Sequence, residues 1–249
     1  MLIRSFFLVL GFLIAGHAHA LTANEAKGMA IGEGETRIEA LFKALVTADE
    51  KTAAFIQALS DDAVKIAGDK VFVVRDGKGQ DAVTGAEVPV PADAEDVVNN
   101  NQMRGALDAA QAALQLGNPD EKLRAKAIQA LLGEPVPALL PLVEKALAAE
   151  KAPALRDRLE RVRAGSLLGS DDVARRLEAA QLLSTSSSPE VKLMLNERLA
   201  DETDPKVRSA MQAAITSIDS RLVWGDRINA IFSGISLGSV LLQIGRAHV

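Results

Sequence analysis

The sequence predicts a mainly α fold: a repeated helical array carrying a small β-meander insert, followed by the start of a transmembrane helix. Three observations predict it. The chain is 48% hydrophobic but only 3% aromatic, with Ala and Leu filling the apolar positions, and both favour helix over strand. One helical pattern recurs in the second half, in Lys122–Leu131, Ala174–Leu183 and Lys206–Ile215. No charge interrupts residues 228–245.

Taken in order, residues 1–20 have the three parts of a secretory signal peptide: Arg4, the apolar run Ser5–Gly16, and Ala18-His19-Ala20 as an Ala-x-Ala cleavage site. The alternative is an uncleaved anchor, and with either the domain over 21–222 is exported. Ile38, Leu41, Phe42 and Leu45 fall at helical spacing, and Phe55 and Leu59 repeat it after Asp49, so Glu35–Ser60 reads as two short packed helices. Gly32-x-Gly34 is a poor phosphate loop, since no apolar strand precedes it.

The texture changes over about 63–91. Val64-Lys65-Ile66 alternates, Lys70–Arg75 is rich in β-formers, and Asp76-Gly77-Lys78-Gly79 is a turn signal. Pro89 and Pro91 keep Glu87–Pro91 out of any central strand. From Asp93 the pattern is helical again, through Val97, Val98, Met103, Leu107, Ala110 and Leu114. Asn99–Asn101 reads as a capping element rather than a polar binding patch.

The recurring segments begin after Gly117-Asn-Pro-Asp120, Gly169-Ser-Asp-Asp172 and Glu202-Thr-Asp-Pro205, where Asp or Pro caps or starts a helix. Partner helices lie between them at Val136–Ala149, Ala154–Leu168 and Glu190–Leu199. Helix pairs with Asp204-Pro205-Lys206-Val207-Arg208 at a helix start resemble HEAT repeats, so the array is read as HEAT-like. Its spacing is irregular, 52 residues from Arg124 to Arg176 but 32 from Arg176 to Arg208. The run Arg156–Arg161 alternates in charge and reads as a solvated face with i,i+3 and i,i+4 pairs.

Residues 226–243 read as the first transmembrane helix. Trp224 and Arg227 form an interfacial anchor before the apolar run, and Gly234-x-x-x-Gly238 lets a neighbouring helix approach closely. The 18 uncharged residues span roughly 27 Å, slightly short of the hydrocarbon layer. Residues 244–249 read as a non-native tail, the in-frame translation of a sequencing adapter.

Composition excludes several function classes. A net charge of −5 with few aromatics argues against nucleic acid as a partner. Histidine occurs only at His17, His19 and His248, and cysteine and tyrosine are absent. The usual general bases, thiol nucleophiles and His–Cys metal sites are therefore missing from 21–243, so neither catalysis, a cofactor nor a metal is expected. Abundant carboxylates leave an exported hydrolase as a remote alternative.

The signal peptide, the exported helical domain, Gly225-Asp226-Arg227 and Phe232-Ser-Gly-Ile-Ser-Leu-Gly-Ser-Val-Leu-Leu242 together resemble the UrtB family, the permease subunits of urea ABC transporters. Asp81–Gly85, Pro91–Val98 and Asn100 resemble that family's N-terminal domain, and the Phe232–Ser239 block is shared with branched-chain amino-acid permeases. The resemblance implies import of urea or a related small amide or amino acid across a bacterial inner membrane, with 21–222 in the periplasm. It implies a second permease subunit, cytoplasmic ABC ATPases and a periplasmic substrate-binding protein as partners. It also implies that this chain is a truncated subunit that does not transport by itself. The competing reading is a self-contained periplasmic scaffold that binds a protein partner.

Overall fold

The computed structural model describes residues 21–224. The chain begins with three helices: α1 (Ala23–Ala30), α2 (Gly34–Val46) and α3 (Glu50–Ser60). Strands β1 (Val64–Ala67), β2 (Lys70–Arg75), β3 (Lys78–Asp81) and β4 (Glu95–Asp96) follow. Then come α4 (Asn101–Gln115), α5 (Glu121–Gly133), α6 (Leu140–Ala149), α7 (Pro153–Leu168), α8 (Val173–Leu183) and α9 (Pro189–Asp201). Residues 205–224, here α10, are helical. The fold is therefore mainly helical with one small antiparallel sheet.

The helix starts follow side-chain capping. Asp49, Asn100, Asp120, Asp172 and Ser188 each accept a hydrogen bond from a first-turn backbone N–H, and Asp204 does so at α10. Such bonds satisfy donors that the helix itself cannot pair. Thr22 and Glu25 form a reciprocal capping box that starts α1. The Thr-x-x-Glu signal of this box is legible in the sequence.

The sheet has the order β3-β2-β1-β4. Asp76 and Gly77 both have positive φ, 51° and 76°, which suits the tight turn between β2 and β3. Cross-strand pairs Val64–Val73 and Ile66–Val71 turn toward the helices and join the main core. Residues 87–91 run along β3, with Val88 N–H donating to Gly79 O at 2.9 Å. Gly79 is required there, because a Cβ would stand 2.1 Å from Val90 Cγ2.

Two boundaries differ from the sequence reading. The β region extends past residue 91 to β4, which pairs with β1, and the helix expected from Asp93 begins only at Asn101. Val97 N–H is taken by Val64 O at 3.0 Å, and Val98 is 78% exposed rather than on a buried helical face. The apolar spacing there is that of an extended segment crossing the core edge.

The repeat spacing is the larger difference. Helices α4, α7 and α10 are equivalent at intervals of 52 residues without a gap. Their buried positions coincide as Met103, Leu155 and Val207; Leu107, Leu159 and Met211; and Ala110, Val162 and Ala214. Helices α5 and α8 are likewise equivalent through Ile128 and Ala180, and α6 and α9 through Val143 and Leu195, with Leu139 in the turn just before α6 matching Val191. The 32-residue step from Arg176 to Arg208 joined two different kinds of helix. Arg208 corresponds to Arg156, and Glu202–Pro205 corresponds to Glu150–Pro153. The recurring unit is thus three helices long.

The buried residues form two clusters that meet within α7. Leu155, Leu159 and Val162 belong to the first cluster, while Ala164, Leu167 and Leu168 belong to the second. Helix α7 is buried almost all round over its second half, so it ties the two cores together.

Candidate functional site

The recurring structural feature is an arginine–carboxylate clasp. In the first unit, Arg124 Nε donates to Glu150 Oε2 at 2.8 Å and Nη2 donates to Oε1 at 3.1 Å. Its Nη1 donates to the carbonyls of Asn118 and Pro119 at 3.0 and 3.1 Å. Glu150 Oε1 also accepts from the backbone N–H groups of Lys151 and Ala152, both at 2.9 Å. In the second unit Arg176 bonds Glu202 at 2.7 and 3.1 Å, and the carbonyls of Ser170 and Asp171 at 2.9 and 3.0 Å. Glu202 Oε1 accepts from Thr203 and Asp204 N–H at 3.0 and 2.9 Å.

Every bond of the first clasp is reproduced 52 residues later. The Arg124 guanidinium pulls the Glu150 carboxyl down to about 2, against the opposing effect of burial. Arg176 lowers Glu202 in the same sense. These bonds hold the loop between two helices against the start of the next.

A separate arginine organises the N-terminal part. Arg37 is 6% exposed and has no carboxylate partner among the described residues. Its Nε donates to Met29 O at 2.9 Å, Nη1 to Val98 O at 2.9 Å, and Nη2 to Asn99 Oδ1 at 2.7 Å. Asn99 Nδ2 in turn donates to Leu59 O and Asp62 Oδ1 at 2.8 and 3.1 Å. This joins α1, α2, the end of α3 and the strand leading to α4. Asn100 next to it caps α4, so Asn99–Asn101 is structural, as its composition suggested.

Small concavities of about 210 and 270 Å³ lie against the two clasps, and two wider grooves lie elsewhere. A groove of about 760 Å³ crosses α4 between α3 and α5. Its floor is of small residues, including Ala53, Ala112 and Ala127, and its rim carries Asp49, Glu50, Asp108 and Lys126. A second groove of about 500 Å³ crosses α7 between α6 and α8, lined by Glu160, Arg163 and Ala164 among others. Asp108, Gln111, Ala112 and Ala130 correspond to Glu160, Arg163, Ala164 and Leu182, so the two grooves share part of their lining. The sequence could not reveal it, because each groove takes residues from three helices whose pairing only the fold defines. Among the described residues no group of three His, Cys, Asp or Glu side chains converges as a metal site.

Of the residues singled out in the sequence, Trp224 lies at the end of α10 and is 63% exposed, next to Val223 at 50%. Arg227, Gly234 and Gly238 lie outside the described residues, as do the signal-peptide segment and the expected membrane helix. Among the described residues no helix is long and apolar enough to cross a membrane. In the Arg156–Arg161 run, Arg156 pairs with Glu160 at 3.9 Å, the expected i,i+4 contact, and also donates to Leu147 O at 3.0 Å. Compared with protein families, curated proteins and solved structures, the chain matches none.

Proposed function

We propose that this chain is a permease subunit of an ABC transporter for urea or a related small amide or amino acid, and that 21–222 is its exported HEAT-like docking domain. One observation carries the link between the two parts. Helices α4 and α7 stop at Gln115 and Leu168, just before Gly117 and Gly169. The equivalent position in α10 is Arg221, and α10 remains helical through Trp224. With no glycine at this position, α10 is helical up to the last described residue, Trp224, which in the sequence shortly precedes the uncharged residues 228–245. Val223 and Trp224, exposed at its end, suit the headgroup level of a bilayer.

The partners in this reading are a second permease subunit, cytoplasmic ABC ATPases and a periplasmic substrate-binding protein. No catalytic role is assigned to the array, whose best-built polar groups are engaged in clasps. Fractionation tests the reading. The full chain should stay with membranes through alkaline carbonate and need detergent for extraction. Release of the intact chain in a soluble periplasmic extract would overturn it.

A second reading, a self-contained periplasmic scaffold, is favoured by one feature: the described residues form two apolar cores of their own. Soluble release in the same experiment would establish it.

A further inference from the structure

The two grooves share part of their lining but differ in one respect that points to an occupant. In the second groove the chain supplies its own cation. Arg163 of α7 reaches Glu144 on α6 at 3.3 Å and Glu178 on α8 at 3.1 Å, bridging the trench across all three helices. In the first groove the equivalent residue is Gln111, which donates only to Gln57 Oε1 of α3 at 3.0 Å. No arginine spans that trench. Asp49, Glu50 and Asp108 stand on its rim against the single ammonium of Lys126, and none of the four takes part in an ion pair among the described residues.

The floor also differs in kind from a filled core. Ala112 and Ala127 are buried at its base, while Ala130 and Leu123 are exposed along its wall, Leu123 to 44%. Small side chains leave room for a partner's apolar ridge to approach the helix backbones, and α3, α4 and α5 present that room as a channel rather than a pit. An apolar trench with an excess of carboxylates on its rim suits an amphipathic helix from below and its flanking charges from above.

We propose that the α3–α4–α5 groove docks an amphipathic segment of a partner protein whose apolar ridge is flanked by Lys or Arg. The partner's cation then meets the carboxylates of Asp49, Glu50 and Asp108 on the rim. This deepens the docking-domain reading and rests on it, but it does not depend on whether the chain is a permease.

The test uses the full chain in a non-ionic detergent and two synthetic amphipathic peptides of about fifteen residues, built from Leu and Ala with either Lys or Glu on the polar face. Labelled-peptide anisotropy should give binding of the Lys peptide about tenfold tighter than the Glu peptide, weakening as salt is raised. Glu50→Lys with Asp108→Lys should reverse the preference. Ala130→Trp, at an exposed position on the groove wall, should abolish binding of both while the helical circular dichroism stays unchanged. Equal affinity for the two peptides, or Lys-peptide binding indifferent to these substitutions, would overturn the proposal. Concentration-dependent dimerisation lost in Ala130→Trp would assign the groove to a second copy and equally overturn it. Failure here with detergent-dependent extraction intact removes the groove proposal alone, whereas soluble release with peptide binding intact removes the permease reading alone.

Discussion

The N-terminal and C-terminal halves of this protein solve the same packing problem with different chemistry. In each, a largely buried arginine draws together segments distant in sequence. Arg37 does so with three neutral acceptors, two backbone carbonyls and the Asn99 amide. Arg124 and Arg176 do so with a carboxylate each, plus two carbonyls. The neutral junction is used once, where the fold is irregular and a sheet must meet three helices. The charged clasp is used twice, where the same three-helix unit recurs. A charge-assisted bidentate pair fixes geometry more narrowly than amide contacts, which suits a repeat whose units must stack in one orientation.

The comparison can be broken most severely at Arg37. Arg37→Met should cost about 3 kcal/mol, because Asn99 and the carbonyls of Met29 and Val98 would lose their donor in a buried setting. Urea denaturation measures it. A loss below about 1 kcal/mol would show that water replaces the guanidinium and that the junction is peripheral.

The clasps should respond more mildly and alike. Glu150→Gln and Glu202→Gln should each cost about 1–2 kcal/mol, through replacement of a charged bidentate acceptor by a neutral one. The two share no partner, so the double variant should lose about the sum. Unequal single losses, or marked non-additivity, would break the equivalence of the two units.

Acid sharpens the contrast further. The carboxyl of Glu150 lies near 2 when folded, below its ordinary 4.5. A depressed carboxyl contributes stability that is fully present above its unfolded value and is lost as pH falls through the folded one. Glu202 shifts the same way. The stability gap between wild type and the Glu150→Gln, Glu202→Gln double variant should therefore shrink from pH 5 toward pH 2, as followed by thermal melts. Burial lowers Arg37 from a strongly alkaline value, so it adds nothing to the acid limb. A gap between wild type and Arg37→Met that is flat over the same range completes the test.

Smaller effects distinguish the two units from each other. A Cβ at Gly169 would lie 2.4 Å from Pro137 Cγ, whereas one at the equivalent Gly117 meets nothing within 4 Å. Gly169→Ala should cost about 1 kcal/mol through overpacking. Gly117→Ala should be neutral or gain about 0.5 kcal/mol, since neither glycine has a positive φ. Ser166, buried with an unpartnered hydroxyl, stands where the other copies carry Leu114 and Ile218. Ser166→Ala should stabilise by up to about 1 kcal/mol. Melting temperatures rank all three.

Much of the fold was legible because its signals are local. The apolar spacing of Ile38, Leu41, Phe42 and Leu45, the turn at Asp76-Gly77, and the caps at Asp120 and Asp172 act within a few residues of themselves. So does the Asn100 cap. The helix start at Asn101 was misplaced because Val97 and Val98 fit helical spacing, while the bond from Val97 N–H to Val64 O is set by a strand more than thirty positions away.

The sequence by itself determined the helical class, the inserted sheet, the absence of histidine, cysteine and tyrosine from 21–243, and the recurrence of Asp-capped helices. These depend on residue type and on contacts one turn away. Only the tertiary structure decided the 52-residue, three-helix unit, because similar capped helices can be aligned in more than one register until their buried faces and their clasps are seen. It alone decided that Arg124 reaches Glu150, that Arg37 is buried with no carboxylate among the described residues, and that Arg163 bridges one groove while the α3–α4–α5 groove has no such bridge among them. Each of these joins residues from different helices, and their meeting is fixed by how the helices pack rather than by any spacing along the chain.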